Sequence, residues 1–170
     1  TFIANLESVA SYLVTPLEKR GYRVLVFADI MGDEAREEEV RGILAEVFGR
    51  SYGEARVKEL PNGPDQINSV TSSIDLLYHW LKVRKKDLAV EGAYVTRVDS
   101  KLRELGPSAW PHDKLCFPWK TSWANLPRSV NDVLFYVPCF LFHEFRAALT
   151  EPQALDNLHW LCASRGLAAH

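Results

Sequence analysis

Ala93-Tyr94-Val95-Thr96-Arg97-Val98-Asp99 is a short β-forming run that ends with an arginine and an aspartate two positions apart. On an extended chain, side chains two apart point to the same face. A guanidinium suits phosphate and a carboxylate suits a divalent cation. At the carboxyl end of a strand bordering a crevice, the pair therefore has the chemistry for a nucleotide diphosphate. The same two residues also fit a surface ion pair, or an aspartate capping a turn.

The flanking sequence predicts what kind of sheet this strand joins. Phe2, Ile3, Leu6, Val9, Ala10, Leu13 and Leu17 recur at helical spacing, and Gly21 follows Lys19 and Arg20 as a stop signal. Tyr22 to Ala28 is then a nearly continuous apolar run of strand length, as expected for a strand covered on both faces. Asp33 to Glu39 puts acidic residues in the first turn of a second helix, whose apolar face is Val40, Ile43, Leu44, Val47 and Phe48. Ala55 to Leu60 reads as a short strand closed by Pro61-Asn62-Gly63-Pro64, and Ile67, Val70, Ile74, Leu77, Tyr78 and Leu81 mark a long third helix. Gly92 separates that helix from the opening strand.

Beyond Asp99 the pattern weakens, and Gly106-Pro107 breaks it. Lys114 to Lys120 reads as a strand with Pro118 arguing for an edge or irregular end, and Val133 to Val137 reads as a buried strand ended by Pro138. Phe140, Leu141, Phe145 and Leu149 give a helix, and Leu155, Leu158, His159, Leu161 and Cys162 a last one. Alternating helices and buried strands predict an α/β fold, with a mostly parallel sheet and helices on both faces. Ligands of such sheets sit outside the carboxyl ends of the strands. Arg97 and Asp99 fall at that end, as does Asp29, just after its own strand.

At 170 residues the chain fits one domain spanning 1–170, large enough to bury a core without disulfide or metal staples. Hydrophobic residues make up 47% and charged residues 25%, close to globular averages, so neither a disordered nor a fibrous class is indicated. A net charge of -2 gives no electrostatic footprint for nucleic acid. The basic run Lys82, Arg84, Lys85 and Lys86 is accounted for by a helix end. Cys116, Cys139 and Cys162 are far apart, without a CxxC pair, and read as buried thiols. No apolar run has the length of a transmembrane helix. Thr1-Phe2-Ile3 already lies inside an amphipathic pattern, so an N-terminally truncated fragment is expected.

Other candidates each carry two readings. Asp132 is a general base or second ligand, or an Asx-turn residue beside Asn131. His112-Asp113 is an acid/base pair, or ordinary loop polarity. Trp110, Trp119 and Trp123 around Lys120 suit sugar stacking and suit a core edge equally. His79, His143 and His159 read as helix histidines. No Ser/His/Asp elbow, phosphate-binding glycine loop or HExxH motif occurs.

The helix from Thr1-Phe2-Ile3-Ala4-Asn5 through Pro16-Leu17, then Gly21-Tyr22-Arg23-Val24-Leu25-Val26-Phe27, resembles uncharacterised glycosyltransferase-like proteins with a nucleotide-diphospho-sugar transferase fold. Thr96-Arg97-Val98-Asp99 is similar to their Arg-x-Asp element, and Asn131 through Pro138 to the later segment in which an aspartate precedes a strand. The resemblance implies a GT-A-like, Rossmann-like architecture, here starting at the helix that follows the usual first strand. It implies a nucleotide-sugar donor and an unidentified acceptor. Arg97 and Lys120 would meet the donor diphosphate, Asp29 and Thr96 would line the donor pocket, and Asp132 would be the catalytic base. Asp99 would hold a divalent cation, manganese or magnesium, although position 97 is arginine where a standard Asp-x-Asp site has aspartate. The alternative is a noncatalytic α/β domain that keeps this fold to bind a partner.

Overall fold

Apolar residues at helical spacing form the first element, and a proline sets its internal geometry. In the computed structural model, which describes residues 1–59, 66–84, 89–103, 112–117 and 133–150, helix α1 spans Phe2–Val9. It continues through a π-helical stretch at Ala10–Val14 into α2 at Thr15–Lys19. Pro16 stands in the first turn of α2. It has no N–H for a bond four residues back, and its ring crowds that carbonyl. The wider turn, in which the Thr15 amide reaches back to Ala10 O, accommodates it. Leu6, Val9, Leu13, Val14 and Leu17 are buried along one side. Gly21, at φ 90°, ends the helix: its amide bonds Glu18 O at 2.9 Å and the Tyr22 amide bonds Leu17 O at 3.2 Å, a Schellman closure.

Strand β1 (Val26–Met31), helix α3 (Glu37–Phe48) and strand β2 (Tyr52–Lys58) follow. The two strands pair in parallel, with Ala28 opposite Ala55 and Asp29 opposite Arg56. Ala28, Leu44, Phe48, Ala55 and Val57 are buried. On the far side of β2, α3 meets the strand with polar side chains. The Val57 amide donates to Glu37 Oε2 at 3.0 Å, Arg41 Nε donates to Ala55 O at 3.1 Å, and Arg41 and Glu37 pair at 2.7 Å. The buried Ser51 hydroxyl donates to Glu18 Oε1 at 2.8 Å, and with Arg50 it holds that carboxyl below the usual carboxylate range.

Helix α4 (Gln66–Arg84), strand β3 (Gly92–Thr96), strand β4 (Leu134–Pro138) and helix α5 (Phe142–Leu149) complete the α-helices and strands among the described residues. The expected mixed α/β character is present, and the β1/β2 pair is parallel as expected. β3 differs: it pairs antiparallel with β4, Tyr94 facing Tyr136 and Thr96 facing Leu134. The far edge of β4 bonds reciprocally to Cys116, at 3.0 and 2.9 Å. The Val133 to Val137 segment thus runs between two neighbours, all of its strand buried. Its apolar sequence reports that burial and carries no information on strand direction.

The chain divides into two compact units, Thr1–Asp65 with Val98–Trp110, and Gln66–Arg97 with Pro111–His170. The second has its own core of Val70, Ile74, Leu115, Phe117, Phe135, Val137, Phe142, Phe145, Ala148 and Leu149. Phe135 packs between Phe117 and Phe145, ring centroids 5.2 and 5.7 Å away. Arg146 of α5 pairs with Asp75 of α4 and lies over the Tyr78 ring. Among the described residues no helix is long and apolar enough to cross a membrane. The last helix expected, and the Pro61 to Pro64 turn, lie outside the described residues.

Gly92 sits where β3 begins, against the Tyr136 ring; a Cβ there would meet Tyr136 Oη and Cζ, and Val137 O at 2.6 Å. Gly92→Ala is expected to cost about 1–3 kcal/mol by overpacking, lowering the melting temperature by about 2–4 °C for each kcal/mol, read by thermal unfolding.

Candidate functional site

The strand bearing the Arg-x-Asp element stops sooner than its sequence suggests. β3 ends at Thr96, Arg97 is irregular, and Val98 and Asp99 lie in a turn. Strand alternation therefore puts Tyr94 and Thr96 on one face and does not extend to Arg97 and Asp99. Thr96 Oγ1 donates to Val133 O at 3.0 Å, and the Arg97 amide donates to the same carbonyl at 3.1 Å. These bonds fasten the end of β3 to the residue that leads into β4. Arg97 is exposed.

Arg97 ends one segment of the second unit, and Val98 begins the returning segment of the first. Within the first unit, α1 grips that segment with two polar side chains. Asn5 Nδ2 donates to Val98 O at 3.1 Å. Buried Ser8 accepts from the Leu102 amide at 2.9 Å and donates to Asn5 O at 2.6 Å. The two grips bracket Asp99, which is exposed and accepts from Ser100 Oγ at 3.3 Å. Sequence reasoning missed these positioning residues. Their signal is a polar residue interrupting a buried stripe: Ser8 lies between Leu6 and Val9, all three buried.

Asp29 lies within β1, two residues before its end, and not just beyond the strand. Its carboxylate is buried and engaged by protein cations: Arg56 Nε at 3.1 Å on one oxygen, and an Arg56 terminal nitrogen at 3.2 Å and Lys58 Nζ at 3.5 Å on the other. Arg56 is its register partner on β2, which makes this a cross-strand pair closed by a fork-like contact.

Among the remaining candidates, His112 enters a cluster. Its Nε2 is 3.1 Å from Tyr94 Oη, its Nδ1 is 3.5 Å from Glu91 Oε2, and its ring stacks on Tyr136. Asp113, His79 and His143 are exposed. Cys116 is buried, which pushes its thiol above the ordinary range. Lys120, Asp132, Trp110, Trp119, Trp123, His159 and Cys162 lie outside the described residues. Among the described residues, no three or more His, Cys, Asp or Glu side chains gather as a metal set. Compared with protein-family models, curated proteins and solved structures, the chain matches none.

Removing both cations beside Asp29 would leave its buried carboxylate uncompensated. Arg56→Met with Lys58→Met is expected to cost about 3–5 kcal/mol, most of it recovered when Asp29→Asn is added. Urea denaturation of the double and triple variants checks this.

Proposed function

We propose that this chain is a glycosyltransferase-like domain of GT-A-like architecture, which binds a nucleotide-sugar donor and transfers its sugar to an acceptor. The observation that supports this reading is the stretch after β3. At its start the exposed Arg97 guanidinium stands on a backbone held by the Thr96 hydroxyl and the Arg97 amide, both bonded to Val133 O. A loop fastened in this way presents charge with little reorganisation, which is what stabilising a departing diphosphate requires. Arg97 would neutralise oxygens of the departing diphosphate as charge forms on them. Asp99, exposed in the first unit, is the carboxylate that would hold a divalent cation, whose chemistry is stabilisation of phosphate charge. Thr96, on the anchored end of β3, borders the donor.

A nucleoside diphosphate with manganese is expected to raise the melting temperature of the chain, by an amount set by its concentration relative to its dissociation constant, about 2.7 kcal/mol at a hundredfold excess. Asp99→Ala should remove the manganese-dependent part of that shift and Arg97→Ala the part seen without metal. Absence of any shift with uridine or guanosine diphosphate, in the presence of manganese, overturns the reading.

A further inference from the structure

β3 and β4 put their two faces to different uses. Phe135 and Val137 belong to the core of the second unit, with Ala93 and Val95 packed against it. Alternation therefore turns Tyr94, Thr96 and Tyr136 to the opposite face. There Tyr94 and Tyr136 are direct cross-strand partners, ring centroids 4.8 Å apart. His112 lies nearly flat on Tyr136, at 4.9 Å and 28°. That stacking holds the imidazole edge-on to Tyr94, with interplanar angle 79°, and brings Nε2 to 3.1 Å from the phenol oxygen.

The other ring nitrogen faces a carboxylate. Glu91 Oε2 is 3.5 Å from His112 Nδ1, and the Glu91 backbone is fixed because its carbonyl accepts the Cys139 amide at 2.8 Å. A carboxylate beside Nδ1 favours the tautomer with its proton there, leaving the Nε2 lone pair to accept the Tyr94 O–H. Carboxylate, imidazole and phenol then stand in series, a base within hydrogen-bond reach of the group it activates and a third group orienting the base. Glu91 is 62% exposed, while His112 and Tyr94 are half-buried. The exposed carboxylate end can exchange protons with water.

We propose that Tyr94, His112 and Glu91 form a proton relay that deprotonates a hydroxyl-bearing acceptor, an inference that rests on the sugar-transfer reading above. Tyr94 shares a face with Thr96, one pleat or about 7 Å along the strand, which sets the relay beside the residue that borders the donor. The acceptor hydroxyl gives its proton to Tyr94 Oη as Tyr94 gives its own to His112 Nε2. The acceptor oxygen's electron pair forms the bond to the anomeric carbon. That carbon's bond to the diphosphate oxygen breaks, and its electron pair leaves with the diphosphate. The imidazolium left behind faces Glu91.

The relay is tested without knowing the acceptor by the reactivity of Tyr94 toward an arylsulfonyl fluoride. In that reaction the phenol oxygen bonds to sulfur, fluoride leaves, and the phenol proton goes to His112. Tyr12 and Tyr78, both exposed, serve as internal references. His112 and Tyr136 face the phenol, and Glu91 acts through His112. At neutral pH, Tyr94 is expected to label at least about tenfold faster than either reference, a modest share of what a positioned base supplies. His112→Gln should return it to the reference rate while Tyr12, Tyr78 and the circular dichroism stay unchanged. Glu91→Gln should displace the pH profile of Tyr94 labelling. A Tyr94 that reacts no faster than the references, or keeps its advantage in His112→Gln, overturns the relay. Nucleoside diphosphate binding is measured separately, by the melting temperature of Tyr94→Phe, which should shift as the parent does. A reactive Tyr94 in a chain that binds no nucleotide overturns the relay's assignment to sugar transfer.

Discussion

Strand β4 is the constraint on which the second unit depends. All five of its residues, Leu134–Pro138, are buried, and its backbone bonds to β3 on one edge and to Cys116 on the other. A buried backbone must have its polar groups met, so both neighbours are obligatory to the strand's position. Phe135 and Val137 anchor the core shared with α4 and α5, while Tyr136 on the reverse carries Tyr94 and His112. One strand thereby sets the packing of the unit and the spacing of Tyr94 and His112.

Much of this was legible in the residues. The apolar stripe from Leu6 to Leu17, the acidic start and apolar face of α3, and the runs that became β1, β2, β3 and β4 each predict an element where one is found. Strand direction was not legible. A run such as Leu134 to Val137 is apolar because both its faces are covered, and the same composition serves a parallel or an antiparallel neighbour. Strand ends were also displaced: β1 continues through Asp29 because that carboxylate has Arg56 opposite it, a pairing between residues 27 positions apart in the sequence.

The candidate site was legible as a list of charges and not as an arrangement. Arg97 and Asp99 stood out by residue type, yet what holds the backbone beside each is uncharged: Thr96 and the Val133 carbonyl in the second unit, Asn5 and Ser8 in the first. Hydroxyls and amides at such positions have little signature, since each is common in helices and loops for other reasons. The Glu91, His112 and Tyr94 series was hidden for a different reason. Tyr94 and His112 are brought together by stacking on Tyr136, and Glu91 meets the other side of His112, which no spacing along the chain encodes.

The Glu37 and Arg41 contacts with β2 have a consequence for how the molecule meets its own copies. An edge strand offers an unpaired ladder on which another chain can build, and that is a route to aggregation. Here the Val57 amide and the Ala55 carbonyl are taken by side chains of a neighbouring helix, which mimic a strand without being one. An incoming chain would first have to displace an ion pair closed at 2.7 Å. Among the described residues, the backbone groups of β2 at Ala55 and Val57 are thus met by two side chains one helical turn apart, a covering of the kind that blunts edge-to-edge pairing.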